Sequence, residues 1–188
     1  RWTDSVDGGT MSVVNPANGQ SLGEVTRAGE RDVEAAYAAA SEAFPAWREL
    51  GWRKRAQIVR AFAERLQQHK QSLAYIEAVD SGNPIRGMRI DVDISTDIIV
   101  DYVYLTGGMT GSTYEASHPD NLHYSRFEPY GVVGRIIAYN HPLMFAATRM
   151  IPALLTGNTI ILKPSDFTPL SVLAMAEWTK DIFPIGVF

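Results

Sequence analysis

The fold is decided by Gly131-Val132-Val133-Gly134-Arg135-Ile136-Ile137 and, further along the chain, by Thr159-Ile160-Ile161-Leu162. Both are short apolar runs of the kind that forms a buried strand. A short loop and a helix-start signal follow each run, so the order is strand, helix, strand, helix. Short connections in this order predict an α/β fold with a parallel sheet, flanking helices and right-handed crossovers.

End signals set the helix boundaries in this region. Pro142 favours a helix start, and Gly157-Asn158 closes the same helix after about Leu155. The next helix is predicted to begin with Thr168 as its N-cap and Pro169 as its first helical residue.

The chain before the sheet is predicted to be largely helical. Apolar spacing indicates helices over residues 31–47, 53–70, 72–79 and 91–105. The third ends at Asp80-Ser81-Gly82-Asn83-Pro84, which we interpret as a helix terminator. The residues expected on buried faces are Val33, Ala36, Tyr37, Ala40, Phe44 and Trp47, then Val59, Phe62 and Leu66, then Ile94, Ile98, Tyr102 and Leu105.

Residues 112–127 are predicted to form a β-hairpin arm. Pro119-Asp120-Asn121 is a turn, and the residues from Leu122 to Phe127 alternate in polarity. Two strands alone are marginally stable in water, so the arm must pack against something else. We expect it to contact a second subunit through Leu122 and Tyr124, or through His123 and Phe127. The alternative is that it folds back onto its own domain.

Composition excludes several classes of protein. Of the 188 residues, 46% are hydrophobic and 20% are charged, which are globular values rather than those of a disordered chain. A net charge of −4 argues against nucleic-acid binding, and no apolar run is long enough to span a membrane. Cysteine is absent and the four histidines lack metal-ligand spacing, so no metal site is expected. The lack of cysteine and of a leader at Arg1 predicts a cytoplasmic location.

Polar residues follow both predicted strands. In an open parallel sheet, ligands bind beyond the carboxyl ends of the strands, and here Asn140 follows the first strand while Lys163, Ser165 and Asp166 follow the second. An asparagine amide can stabilise an oxyanion, and a lysine can bind ribose or phosphate. From the residues alone two alternatives stay open: Asn140 caps the helix that starts at Pro142, and Lys163 is merely solvated.

Several ordered blocks resemble the NAD(P)-dependent aldehyde dehydrogenase superfamily, and the resemblance extends over essentially the whole chain. These blocks are Asn15–Gly19, Ala43–Trp47, Glu77–Gly82, Glu128–Leu143, Pro152–Thr159 and Leu162–Leu170. Ala138-Tyr139 stands where the family usually has Pro-Trp.

The resemblance implies a Rossmann-like parallel sheet within a larger fold, with NAD or NADP as cofactor. It implies that Asn140 is catalytic and helps to bind the oxyanion, and that Lys163 binds the adenosine ribose or its 2′-phosphate. Asp166 replaces the Glu that is frequent in the family, which leaves NAD versus NADP open. The residues that the resemblance implies at the cofactor are Ile136, Ile137, Ala138, Tyr139, Asn140, Lys163, Ser165 and Asp166.

The implied activity is oxidation of a small-molecule aldehyde to a carboxylic acid by a homodimer or homotetramer. Residues 1–111 would form the helical part of the cofactor-binding domain, 112–127 the oligomerisation arm and 128–188 the βαβα part. The family's cysteine nucleophile and glutamate base would lie beyond this chain, so these 188 residues alone are expected to be inactive. The alternatives are a non-catalytic cofactor-binding or interaction fragment, and an acylating or phosphate-reducing relative.

Overall fold

Helices surround a pair of parallel strands, and two small hairpins lie outside this core. The computed structural model describes residues 3–188. The elements, in chain order, are β1 (Thr10–Val14), β2 (Ser21–Thr26), α1 (Glu30–Glu49), α2 (Trp52–Gln68), α3 (Lys70–Ser81), α4 (Ile85–Thr106), β3 (Thr113–Tyr114), β4 (His123–Tyr124), β5 (Val132–Ile136), α5 (Pro142–Arg149), α6 (Ile151–Leu155), β6 (Thr159–Lys163) and α7 (Leu170–Thr179).

The predicted parallel sheet is confirmed. Strands β5 and β6 pair in parallel, with Val132 opposite Thr159 and Ile136 opposite Lys163. The amide of Ile137 continues the ladder by donating to the carbonyl of Lys163 at 3.2 Å. Both strands therefore end at the same edge of the sheet, and the loops that follow them start side by side.

A single apolar core joins the upstream helices to the sheet. The predicted face of α2 is confirmed, because Val59, Phe62 and Leu66 are all buried. Trp47 at the end of α1 is also buried, and its indole nitrogen donates to the carbonyl of Leu154 in α6 at 3.1 Å. Phe183 packs against the rings of both Trp47 and Phe62, so residues distant in sequence share this core. None of the helices within residues 3–188 has the length and apolar character that crossing a bilayer requires.

Two helix predictions near the sheet are wrong in detail. The helix predicted from Pro142 to Leu155 is divided into α5 and α6, because Pro152 has no amide hydrogen for the carbonyl of Thr148 four residues earlier. Thr168 is not the N-cap of α7, which begins one residue later than predicted with Pro169 in the cap position. The Thr168 hydroxyl instead donates to the carbonyl of Tyr139 at 3.2 Å, across to the neighbouring loop.

The predicted buried faces of α1 and α4 are only partly right. In α1, Ala40 and Trp47 are buried, but the side chains of Val33 and Tyr37 are more than half exposed. Helix α4 starts earlier than predicted, and its buried face is rotated away from Ile94 and Leu105. That face carries Met88, Asp91, Val92, Ser95, Thr96, Ile99 and Val103. Because this face includes the polar residues Asp91, Ser95 and Thr96, apolar spacing alone does not identify it.

The arm is a short antiparallel hairpin, as predicted. In β3 and β4, Thr113 pairs with Tyr124 and Tyr114 pairs with His123. Its apolar side chains do not pack on the rest of the chain: Leu122 is 73% exposed, and Tyr124 and Phe127 are similarly open. Residues 3–188 therefore leave these side chains uncovered, and their packing against a second subunit stays a prediction.

Two carboxylates of α3 bind the N-termini of the helices that follow the strands. One Glu77 oxygen accepts a hydrogen bond from the amide of Leu143 in α5 at 3.1 Å. One Asp80 oxygen accepts from the amide of Leu170 in α7 at 2.7 Å. Both carboxyl groups are buried, and helix N-termini present unpaired amides and a partial positive charge. Gly82 ends α3 in a left-handed conformation, so the predicted terminator is confirmed, but Asp80 also docks α7.

Burial changes the protonation of this pair. Desolvation, reinforced by the nearby charges of Asp91 and Asp80, raises the pKa of Glu77 to about 8 against the lowering effects of Ser171 and the Leu143 amide. Desolvation likewise raises the pKa of Asp80 to about 6, although the hydrogen bond from Leu170 lowers it. Glu77 is therefore mostly protonated at neutral pH, whereas Asp80 is mostly ionised.

Replacing Glu77 with glutamine tests this picture. A carboxyl group whose folded pKa lies above its unfolded value of 4.5 contributes stability below that value, and the contribution is lost as the pH rises through about 8. Glutamine cannot ionise and keeps an oxygen acceptor for the Leu143 amide. We expect the melting temperature of Glu77→Gln, relative to that of the unsubstituted complete protein, to rise steadily from pH 5 to pH 9.

The matched control is Glu64→Gln, which makes the same change at an exposed position of α2. Its melting-temperature difference from the unsubstituted protein is expected to stay nearly constant over the same range. If the melting-temperature difference between Glu77→Gln and the unsubstituted protein were also constant with pH, the raised pKa of Glu77 would be contradicted.

Candidate functional site

The loops after β5 and β6 meet at the carboxyl edge of the sheet. The carbonyl of Tyr139 in the first loop accepts the hydrogen bond from Thr168 in the second. The ring of Tyr139 also packs edge-on against Phe167, with ring centres 6.2 Å apart. The structure therefore brings together the two loops that the sequence selected as candidate ligand-binding segments.

Asn140 presents an uncommitted amide at this edge. Its side chain is exposed and has no hydrogen-bond partner among residues 3–188. Its backbone is held, since the carbonyl of Asn140 accepts a hydrogen bond from the Asn83 side chain at 2.8 Å. The alternative that Asn140 caps α5 is wrong, because His141 holds the cap position and the side chain bonded to the first turn is that of Glu77. The amide donors of Asn140 are thus available to a ligand.

The second loop carries paired opposite charges. The Lys163 ammonium donates to the Asp166 carboxylate and, at 3.1 Å, to the carbonyl of Pro164. Ser165 accepts a hydrogen bond from the amide of Phe167 at 3.2 Å, which shapes the loop. Lys163 is thus not a freely solvated lysine, although both charged groups are exposed. An exposed ion pair is easily opened, so both groups can turn to a ligand.

The remaining predicted residues divide between the edge and the core. Ile136 is 77% exposed at the end of β5, whereas the side chain of Ile137 is buried, so only the backbone of Ile137 can line the site. Ala138 and Tyr139 are exposed in the loop. Together with the exposed ring of Phe167, Ile136 and Tyr139 form an apolar rim next to Lys163 and Asp166. Flat aromatic rings of a ligand can pack on such a rim.

A histidine–aspartate pair adjoins Asn140, and no local sequence pattern predicts it. Nδ1 of His141 lies 2.6 Å from a carboxylate oxygen of Asp91 in α4, and the Asp91 side chain is buried. Glu77 and Asp80 were also missed, although their i, i+3 spacing puts them on one face of α3.

Other features of the described chain do not form a competing site. No group of three or more His, Asp or Glu side chains within residues 3–188 is arranged to hold a metal ion. A cleft of about 470 Å³ is lined by Trp52, Arg55, Tyr130 and Asn158, among others. It lies at the opposite ends of the strands and contains none of the predicted site residues, so we assign the candidate site to the carboxyl edge.

Comparison with known proteins agrees with the family resemblance. The sequence profile described as the aldehyde dehydrogenase family matches residues 2–188. Aldehyde dehydrogenase tropH of Talaromyces stipitatus is 35% identical over 189 residues, which cover 100% of this chain and 37% of tropH.

Solved structures agree as well. PnpE from Pseudomonas sp. WBC-3 matches with a TM-score of 0.95 and 38% identity, over 100% of this chain and 39% of PnpE. PnpE has also been solved in complex with nicotinamide adenine dinucleotide. An E. coli NADP-dependent enzyme matches with a TM-score of 0.96 and 32% identity, over 100% of this chain and 39% of its own.

The chain spans between 37% and 39% of the length of these relatives. The match over nearly all of its residues and the parallel βαβα unit lead to the same assignment. The chain belongs to the aldehyde dehydrogenase family.

Proposed function

We propose that the complete protein oxidises an aldehyde to a carboxylic acid with NAD or NADP, and that this chain supplies the dinucleotide edge and the oxyanion-binding asparagine. The observation that carries the proposal is the exposed, unbonded amide of Asn140 on the loop after β5, which contacts the loop after β6 that carries Lys163 and Asp166. The family assignment supports the reaction class. These 188 residues contain no cysteine, so the family's cysteine nucleophile would come from outside this chain.

Asn140 is proposed to act on the carbonyl oxygen of the aldehyde. When a nucleophile adds to the carbonyl carbon, negative charge develops on that oxygen, and a preorganised amide donor stabilises it. Asn83 holds the backbone carbonyl of Asn140, and Glu77 holds the amide of Leu143 just beyond it. These bonds limit the motion of the loop, so little reorganisation is needed as the charge develops.

The residues of the carboxyl edge fit a nicotinamide dinucleotide. When bound, such a cofactor accepts the hydride that leaves the aldehyde carbon. The Lys163 ammonium can donate to ribose hydroxyls or a 2′-phosphate, and the Asp166 carboxylate can accept from ribose hydroxyls. Ile136, Tyr139 and Phe167 offer apolar surface to flat rings. One carboxylate next to one lysine leaves the choice between NAD and NADP open.

The roles of the other segments belong to the same proposal. Residues 1–111 and 128–188 would form the helical and βαβα parts of the cofactor-binding domain, and residues 112–127 would join subunits into a homodimer or homotetramer. The exposed apolar side chains of the arm support an intersubunit role. The absence of cysteine is compatible with a cytoplasmic enzyme.

Replacing Asn140 tests the oxyanion role. In the complete protein, Asn140→Ala is expected to lower kcat by about 100- to 1000-fold, which is typical for loss of one oxyanion donor. Steady-state kinetics with a simple aldehyde measures this, and a titration should find nucleotide binding retained. Asn121→Ala, in the exposed turn of the arm, is the matched control. A kcat within about threefold of the parent enzyme would overturn the role of Asn140.

Replacing Lys163 tests the nucleotide contact. A charge-assisted hydrogen bond contributes about 1.5–3 kcal/mol, so Lys163→Ala should raise the Kd of the preferred nucleotide about tenfold to a hundredfold. Lys180→Ala is the control, because Lys180 is also exposed and paired with a carboxylate three residues away, at Glu177. Titrating NAD and NADP separately measures both the loss and the preference. An unchanged Kd for both nucleotides would reject the contact.

Deleting the arm tests the proposed assembly. Removing residues 114–126 from the complete protein takes away most of the exposed apolar surface of the hairpin. We expect the mass measured by light scattering to fall to a smaller assembly. An oligomer of unchanged mass would show that the arm is not an assembly element.

A further inference from the structure

The imidazole of His141 is fixed in place by a buried carboxylate. Nδ1 lies 2.6 Å from the Asp91 oxygen, the Asp91 side chain is 9% exposed and the His141 side chain is 39% exposed. A carboxylate only accepts hydrogen bonds, so the proton of this bond sits on Nδ1. Phe145 packs edge-on against the ring with centres 6.2 Å apart, which further limits rotation.

This bond leaves Nε2 of His141 uncommitted. Nε2 has no partner among the described residues, and it can accept a hydrogen bond from a neutral ring or donate one from a protonated ring. Nearby polar groups are already engaged within their own helices: Ser95 donates to the carbonyl of Asp91 and Thr148 to that of Met144. His141 therefore has hydrogen-bonding capacity that the fold itself does not use.

His141 lies next to the proposed substrate site, where the free hydrogen-bonding atom Nε2 can be used. Consecutive α-carbons lie about 3.8 Å apart, so His141 directly adjoins the residue proposed to bind the aldehyde oxygen. Asn83 holds the carbonyl between the two residues, and Asp91 holds the ring that follows. With the aldehyde carbonyl at Asn140, as proposed, this half-exposed imidazole is the next polar side chain along the chain that the rest of the substrate can meet.

We propose that His141, positioned by Asp91, determines substrate specificity by binding a hydroxyl group on the aldehyde, away from its carbonyl. The inference rests on the proposed function. A hydroxyl both donates and accepts, so it suits Nε2 in either protonation state. A carboxylate is disfavoured because the charge of Asp91 lies behind the ring, and no lysine or arginine in the described chain bonds to either residue.

The test compares aldehydes of equal length in the complete enzyme. A short series of ω-hydroxyalkanals is paired with the corresponding alkanals and with ω-carboxyalkanals, and kcat/KM is measured for each. The parent enzyme should prefer the hydroxylated member at one chain length. His141→Phe should lower the ratio of kcat/KM for hydroxylated over alkyl aldehyde by about tenfold to a hundredfold, because the hydrogen-bonding group is lost.

Further variants separate recognition from folding. His141→Gln keeps a group that can bond to a hydroxyl, so its preference for hydroxylated over alkyl aldehyde should lie between those of the parent enzyme and His141→Phe. Asp91→Asn should keep more of this preference than Asp91→Leu. His69→Phe makes the same change at a ring stacked on Trp178, and should leave the ratio unchanged. Melting temperatures identify any variant that fails to fold, in which case the glutamine and asparagine variants carry the test.

Two results would overturn the inference while leaving the proposed function intact. One is a ratio that stays within about twofold of the parent value in a folded His141→Phe enzyme. The other is a loss confined to carboxylated aldehydes, which would assign the ring to an anionic group. Absence of nucleotide-dependent oxidation of every aldehyde would instead contradict the proposed function itself.

Discussion

The arrangement of the candidate site depends on two buried hydrogen bonds from helix N-termini to carboxyl groups of α3. Glu77 binds the amide of Leu143 and Asp80 binds that of Leu170, so one helix fixes the starts of both helices that follow the strands. Burying carboxyl groups is unfavourable unless donors and positive potential compensate, and helix N-termini provide both. The upstream helices thereby set the positions of the two loops at the carboxyl edge of the sheet.

Burial explains why one of these carboxyl groups holds a proton, because desolvation raises its pKa by more than the hydrogen bond from the Leu143 amide lowers it. The second oxygens of Glu77 and Asp80 lack hydrogen-bond partners of good geometry, and so does the buried hydroxyl of Ser171 beside them. A protonated Glu77, with its pKa raised to about 8, removes one negative charge from this interior. Asp80 can then stay ionised against the α7 terminus, because it no longer faces a second full charge nearby.

Local sequence signals were enough for the parallel strands, the hairpin and the choice of the two loops as candidates. Turn residues and apolar runs are local, so Asn140 and Lys163 could be selected without knowledge of their partners. The buried carboxyl bonds and the histidine pair are different, because Glu77 reaches Leu143, Asp80 reaches Leu170 and His141 reaches Asp91 across 66, 90 and 50 residues. The spacing of apolar residues along the chain does not predict contacts between residues so far apart in sequence. Asp91 and Ser95 even obscured the buried face of α4, since polar side chains there looked like solvent-facing positions.

Buried and exposed polar groups have different roles: the buried ones position backbone and side chains, and the exposed ones are free to bind a ligand. Glu77, Asp80 and Asp91 are buried and bonded to backbone amides or to an imidazole, so they are not accessible to a ligand. Asn140, Lys163 and Asp166 are exposed, and the bonds that Lys163 and Asp166 make to each other compete with water. A ligand bound at the carboxyl edge, as proposed, would replace the exposed bond between Lys163 and Asp166 and leave the buried hydrogen bonds of Glu77 and Asp80 intact. Such binding would require reorientation of loop side chains and no rearrangement of the core.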